Sequence, residues 1–176
     1  MALPPISALS SSPEHLQPIL DSLFEPSPAL HTLVACHLPR SFDSYDSFAD
    51  FVASLLFDLT SEVSEGKQQQ LLEILSAHPR LGAKKTEVLS EHSAKEQASL
   101  QAASEEEVRR LGELNKEYEE KFPGLRYVVF VNGKSREVVM ENMKERIKRG
   151  DLEEEKREAI EAMRDIAKDR ASKLIQ

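Results

Sequence analysis

Three features of the sequence predict an all-α fold, a single-domain helical bundle of about eight helices with one short extended segment near 126–131. Apolar residues recur at three- and four-residue spacing through most of the chain, the pattern of helices with one buried face. Serine stands at the start of several of these runs, twice followed by proline, as at helix N-termini. One run alone, Arg126-Tyr127-Val128-Val129-Phe130-Val131, has β character, and no second run is available to pair with it. The 176 residues suit one domain, 1–176, large enough to bury a core without disulfides or metal. Composition agrees: 40% hydrophobic and 31% charged residues with only 6 Gly favour a helical protein over a β-sandwich.

Taken in order, residues 1–12 are rich in Pro and Ser and read as loop, with Ile6 and Leu9 available for packing. Ser12-Pro13 opens a short helix through Leu16, Ile19, Leu20 and Leu23, and Ser27-Pro28 repeats the device before Leu30, Leu33, Val34 and His37, with Pro39 as terminator. A third helix begins near Ser44 and carries Phe48, Phe51, Val52, Leu55, Leu56 and Leu59, a stripe broad enough for the centre of the core. A fourth starts near Gly66, places Leu71, Ile74 and Leu75 on one face and ends at or just before His78, because Pro79 disfavours the helical conformation for the residue preceding it. Ser93 and Glu96 have capping-box spacing and mark a fifth start. Glu105 to about Lys121 is a charged amphipathic helix with Val108, Leu111, Leu114, Asn115 and Tyr118 inward. Asn132-Gly133 is a turn signal, Ser135 caps a helix through Val138, Val139, Met143 and Ile147, and the last helix spans about Asp151 to Leu174.

Several function classes are excluded. A net charge of −8 argues against a duplex-binding surface, so the chain is not predicted to bind nucleic acid. No apolar run approaches a membrane span, and Met1-Ala2-Leu3-Pro4-Pro5 lacks the charged start of a signal peptide. The single cysteine, Cys36, rules out an intrachain disulfide, fits a reducing compartment, and reads as a small buried apolar residue. His15, His31, His37 and His92 show no metal-ligand spacing, and no phosphate-binding glycine loop is present. Ser172-Lys173-Leu174 is the peroxisomal tripeptide but is followed by Ile175-Gln176; a cytoplasmic or peroxisomal location is the expectation.

Two residues carry chemistry on their own. His78, at the C-terminus of its helix, is placed where the macrodipole favours the imidazolium by about 0.3–1 kcal/mol, which suits either a cap or an acid–base group. Arg170 falls in the middle of the apolar stripe Leu152, Ala159, Met163, Ile166, Ala167 and Leu174, where a bare charge costs several kcal/mol, roughly. Two readings stay open for it: an internal salt bridge or snorkelling side chain, and the fixed cation that an anionic ligand needs in an acidic protein.

In combination these residues resemble a family, the 2-oxo-4-hydroxy-4-carboxy-5-ureidoimidazoline (OHCU) decarboxylases of uric acid degradation. The resemblance covers most of the chain. It rests on His78-Pro79-x-Leu81 after a helix, Ser93-x-x-Glu96-Gln97, Asn115-x-x-Tyr118, the Phe122-Pro123 turn before Tyr127-Val128-Val129-Phe130, Lys134-Ser135, Glu145-Arg146-Ile147 and Arg170. It implies a helical fold, commonly a homodimer, with no metal or organic cofactor and an anionic ureidoimidazoline as substrate. It further implies that His78 and Glu96 are catalytic, and that Pro79, Ser93, Gln97, the 127–130 backbone (Tyr127, Val128, Val129, Phe130) and Arg170 bind substrate. The implied reaction is loss of the C4 carboxylate as CO2 to give (S)-allantoin. The chain departs from the family where His-Pro is followed by Arg80-Leu81-Gly82-Ala83-Lys84-Lys85, whose cationic groups either attract an anion or are simply solvated. A homologue that keeps the fold but not the activity, binding a purine-derived ligand or a protein partner, is the alternative.

Overall fold

The computed structural model describes residues 2–11, 13–82 and 105–175. Ser93, Glu96 and Gln97, with the helix start assigned to them, lie outside the described residues. All regular structure among the described residues is helical: α1 (Ala8–Ser11), α2 (Leu16–Phe24), α3 (Pro28–Ala35), α4 (Tyr45–Thr60), α5 (Glu65–Leu75), α6 (Glu105–Lys121), α7 (Arg136–Arg149) and α8 (Leu152–Leu174), with a 3-10 turn over Pro13–His15. Seven of the eight helices are eight residues or longer.

The helix starts follow the sequence signals closely. Ser27 accepts from the Leu30 amide, with Pro28 at the first helical position. Ser44 and Ser47 form a reciprocal capping box at the head of α4, Ser135 accepts from Val138, and Asp151 accepts from the amides of Glu153 and Glu154. The Ser12-Pro13 start is realised differently, as the 3-10 turn that feeds α2. Gly66 is the second residue of α5, next to the start read from the sequence, and the N-cap Ser64 makes no side-chain cap bond.

The broad stripe of α4 is central, as its pattern predicts. Phe48, Val52 and Leu56 have no exposed surface, and α4 packs most extensively along α8, with α2 also against α8. The first residues run beside the far end of α8, where the Leu3 amide donates to the Leu174 carbonyl (3.0 Å) and the Tyr45 hydroxyl to the Pro4 carbonyl (2.8 Å). Three inward assignments fail: Val108 and Leu152 are each 41% exposed and Val138 54% exposed, since each helix meets neighbours along part of its length only. Cys36 is likewise exposed, because α3 has ended before it.

The run 126–131 is extended but joins no strand among the described residues, and Asn132 (φ 38°) and Gly133 (φ 75°) turn it into α7. Its backbone is held from behind by a buried network on α7 and α8. The Arg146 guanidinium donates to the Val128 carbonyl (3.0 Å), lies 4.8 Å from the centre of the Tyr127 ring, and forms a two-pronged ion pair with Glu155, which has no exposed surface. The Tyr118 hydroxyl of α6 donates to the same carboxylate, and the Tyr127 hydroxyl donates to Asn142 Oδ1 (2.6 Å). Burial first, and Glu155 beside them, push the phenols of Tyr118 and Tyr127 well above the ordinary tyrosine range.

Candidate active site

His78 stands beyond α5 rather than in its last turn. The helix ends at Leu75, Ser76 caps it, and the Ala77 amide closes a tight turn onto the Ile74 carbonyl (3.2 Å), leaving His78 in the pre-proline position. The following loop is pinned from two sides. On α6, Asn115 Nδ2 donates to the Leu81 carbonyl (3.0 Å), and Glu119 takes both prongs of Arg80 (2.6 and 2.5 Å). Arg126, at the head of the extended run, donates to the His78 carbonyl (3.3 Å). Gly82 has φ +71°, a left-handed turn that favours glycine, and a Cβ there would lie 2.5 Å from the tip of the Leu111 side chain, which would have to shift. Arg80, read as an anion-attracting or solvated charge, is thus tied to α6.

A cavity of about 240 Å³ opens beside this loop. One wall is His78, Pro79 and Leu81; a second is the stretch from Tyr127 to Gly133; the third is one face of α8, with Ile166, Asp169, Arg170 and Lys173 at helical spacing. Of the residues singled out in the sequence, the structure brings together His78, Pro79, Tyr127, Val128, Val129, Phe130 and Arg170.

His78 is 5% exposed, and its Nε2 is the buried side-chain polar atom without a hydrogen-bond partner among the described residues. An orphaned buried nitrogen costs about 1–3 kcal/mol, and on a cavity wall it is free to accept from or donate to a molecule in the cavity. Burial, then the Arg170 guanidinium and more weakly that of Arg126, pull the imidazole down to about 4 against an opposing pull from the Glu25 carboxylate. The helix-end argument from the sequence, which favours the imidazolium, is overturned: outside the helix, desolvation and two guanidinium groups outweigh the dipole. At neutral pH His78 is a neutral imidazole, able to take a proton.

Arg170 is 3% exposed and donates to Glu25 Oε1 (2.7 Å) and to the Leu23 carbonyl (3.4 Å). The internal ion pair is therefore real, and it is made at the cavity wall. Sequence reasoning missed Glu25, which follows α2 and precedes Pro26 and reads like any solvated acid between helices; the one available signal was that a buried arginine must have a partner. Also missed were Arg126, Ile166, Asp169 and Lys173; the last two pair with each other (2.5 Å). No metal-binding group of histidine, cysteine and carboxylate side chains occurs among the described residues, and no described helix is long and apolar enough to cross a membrane.

The helical scaffold thus frames a small cavity between a His-Pro loop, an extended wall and the last helix. The sequence profile of the OHCU decarboxylase family matches residues 10–172, and the chain belongs to that family. Among solved structures it is similar to one described as a crystal structure of (S)-allantoin synthase, with a TM-score of 0.62 at 19% identity. The match covers 97% of this chain and 54% of that one, so this chain spans about half of that protein's length and shares its fold. No curated protein sequence matches.

Proposed function

We propose that this chain catalyses the decarboxylation of OHCU to (S)-allantoin and CO2. The observation that carries the reading is the buried His78 with an unpartnered Nε2 on the wall of a cavity that Arg170 also lines. Departure of the C4 carboxylate leaves an electron pair that the adjacent ring C=N or C=O accepts, so the substrate supplies its own electron sink. The ring atom that accepts the pair takes a proton from solvent, while the C4 hydroxyl loses one and carbon gains one, so one proton is consumed overall. A neutral imidazole takes the hydroxyl proton as carbonyl character develops, and the imidazolium so formed is an acid for the return step. Arg170 supplies positive charge for an anionic substrate in a protein of net charge −8. Residues 127–130 line the cavity, and in this reading their backbone groups meet the substrate ring. Glu96, Ser93 and Gln97 are assigned, from the family pattern, to orienting the imidazole and hydrogen-bonding substrate.

The test uses urate treated with urate oxidase and hydroxyisourate hydrolase to generate substrate freshly, with circular dichroism following optically active allantoin. The chain accelerates its appearance, and His78→Ala loses about a hundredfold or more of that rate. Near-normal turnover by His78→Ala removes the central role, and no acceleration by the unmodified protein leaves the fold as that of a binding module.

A further inference from the structure

Glu25 is a residue at this site that neither the family pattern nor the sequence periodicity singled out. It is 3% exposed, and its backbone, at φ 74° and ψ 152°, lies in a region that residues with side chains rarely adopt. A conformation of this kind costs about 1–3 kcal/mol and persists where surroundings over-determine it. Here the surroundings are the end of α2: the Leu23 carbonyl and the Glu25 carboxylate both accept from Arg170, one through Nη1 and the other through Nη2. Among the described residues, two acceptors on one chain end thus help to orient a guanidinium carried by α8, 145 residues away. Aspartate is one methylene too short for that reach, and glutamine keeps the reach without the charge.

Resting on the reading of the cavity as a decarboxylase site, we propose that Glu25 is a positioning residue for the reaction: it fixes the orientation of Arg170 and offsets its charge. The offset matters because a carboxylate is an anion in the ground state and leaves as neutral CO2. A cation of undiminished strength holds the bound carboxylate more than it helps the departing one, which improves binding at the expense of turnover. The same carboxylate bears on His78, where it opposes the downward pull of Arg170 and Arg126. Among the described residues, the charged groups around the imidazole are Arg170 from α8, Glu25 from the end of α2 and Arg126 from the extended wall, with the Asp169–Lys173 pair also on the cavity.

The test is the steady-state kinetics of Glu25→Gln, Arg170→Gln and the double variant on freshly generated substrate, each with its thermal midpoint. Glu25→Gln lowers kcat by about tenfold or more while KM stays level or falls, and the double variant is no slower than Arg170→Gln alone, as expected of a residue acting through another. Should Glu25→Gln fail to fold, Glu25→Asp carries the test, with a severalfold loss of kcat on the order of that for a displaced guanidinium. Glu25→Gln with wild-type kcat and KM and only a lowered midpoint, or fully additive losses in the double variant, overturns the proposal. An inactive unmodified protein overturns instead the decarboxylase reading on which it rests.

Discussion

The neutral state of His78 follows from its surroundings rather than from its place in the sequence. A histidine at a helix end is held cationic, whereas one pushed past the helix by a proline, buried, and faced by two guanidinium groups is held neutral. The pH dependence of kcat/KM reports this state, because it reflects the free enzyme. Since the imidazole is drawn down to about 4, kcat/KM holds level as pH drops through 6.5 and bends near pH 4. An acid limb at the ordinary histidine value would mean that the imidazole is solvated in the free protein. The Arg170 stripe position was legible, because a charge among apolar residues at helical spacing stands out. Glu25 was not, because its significance comes from a contact 145 residues away and from a backbone conformation that no local pattern encodes.

At the scale of elements, the extended wall depends on a network whose partners come from α6, α7 and α8. Helix starts were readable because capping is local: the serines of α3, α4 and α7 lie next to the amides they accept from. The unpaired nature of 126–131 was readable from the lack of a second β-like run. What holds it was not, since Arg146 and Glu155 belong to different helices and look like members of ordinary charged faces. Breaking a buried pair by removing one partner costs about 3–5 kcal/mol, much of it the penalty of the charge left behind. Arg146→Met is therefore expected to lower stability by about that amount in denaturant unfolding, with KM raised because the wall loses its tie at the Val128 carbonyl. Arg146→Met combined with Glu155→Leu, which leaves no charge uncompensated, recovers a good part of the stability but not the KM. Equal KM in both variants and the parent would show that the wall is held by its apolar contacts alone.

For the whole molecule, the site and the stability share one titration. The core built on α4 and α8 buries His78 at its edge, and that burial is what separates the folded from the unfolded imidazole. In the unfolded chain the group takes a proton near 6.5; in the folded protein it does so at about 4, with Arg170 and Arg126 opposing the charge and Glu25 favouring it. Between those values the unfolded state binds more protons, so stability falls as pH falls from 6.5 to 4 and this contribution changes no further on either side. Across that window the loss is on the order of 3 kcal/mol, since each pH unit between the two titrations is worth about 1.36 kcal/mol. Other carboxylates and histidines titrate over the same range, so the informative quantity is the difference between the parent and His78→Gln, in which the rest cancels. Denaturant unfolding at a series of pH values is expected to show the parent losing stability relative to the variant throughout that window and running parallel to it above about pH 7. Parallel curves across the whole range would mean that the folded protein accepts the proton as readily as the unfolded chain, and the neutral base that the proposed decarboxylation requires would be lost with it.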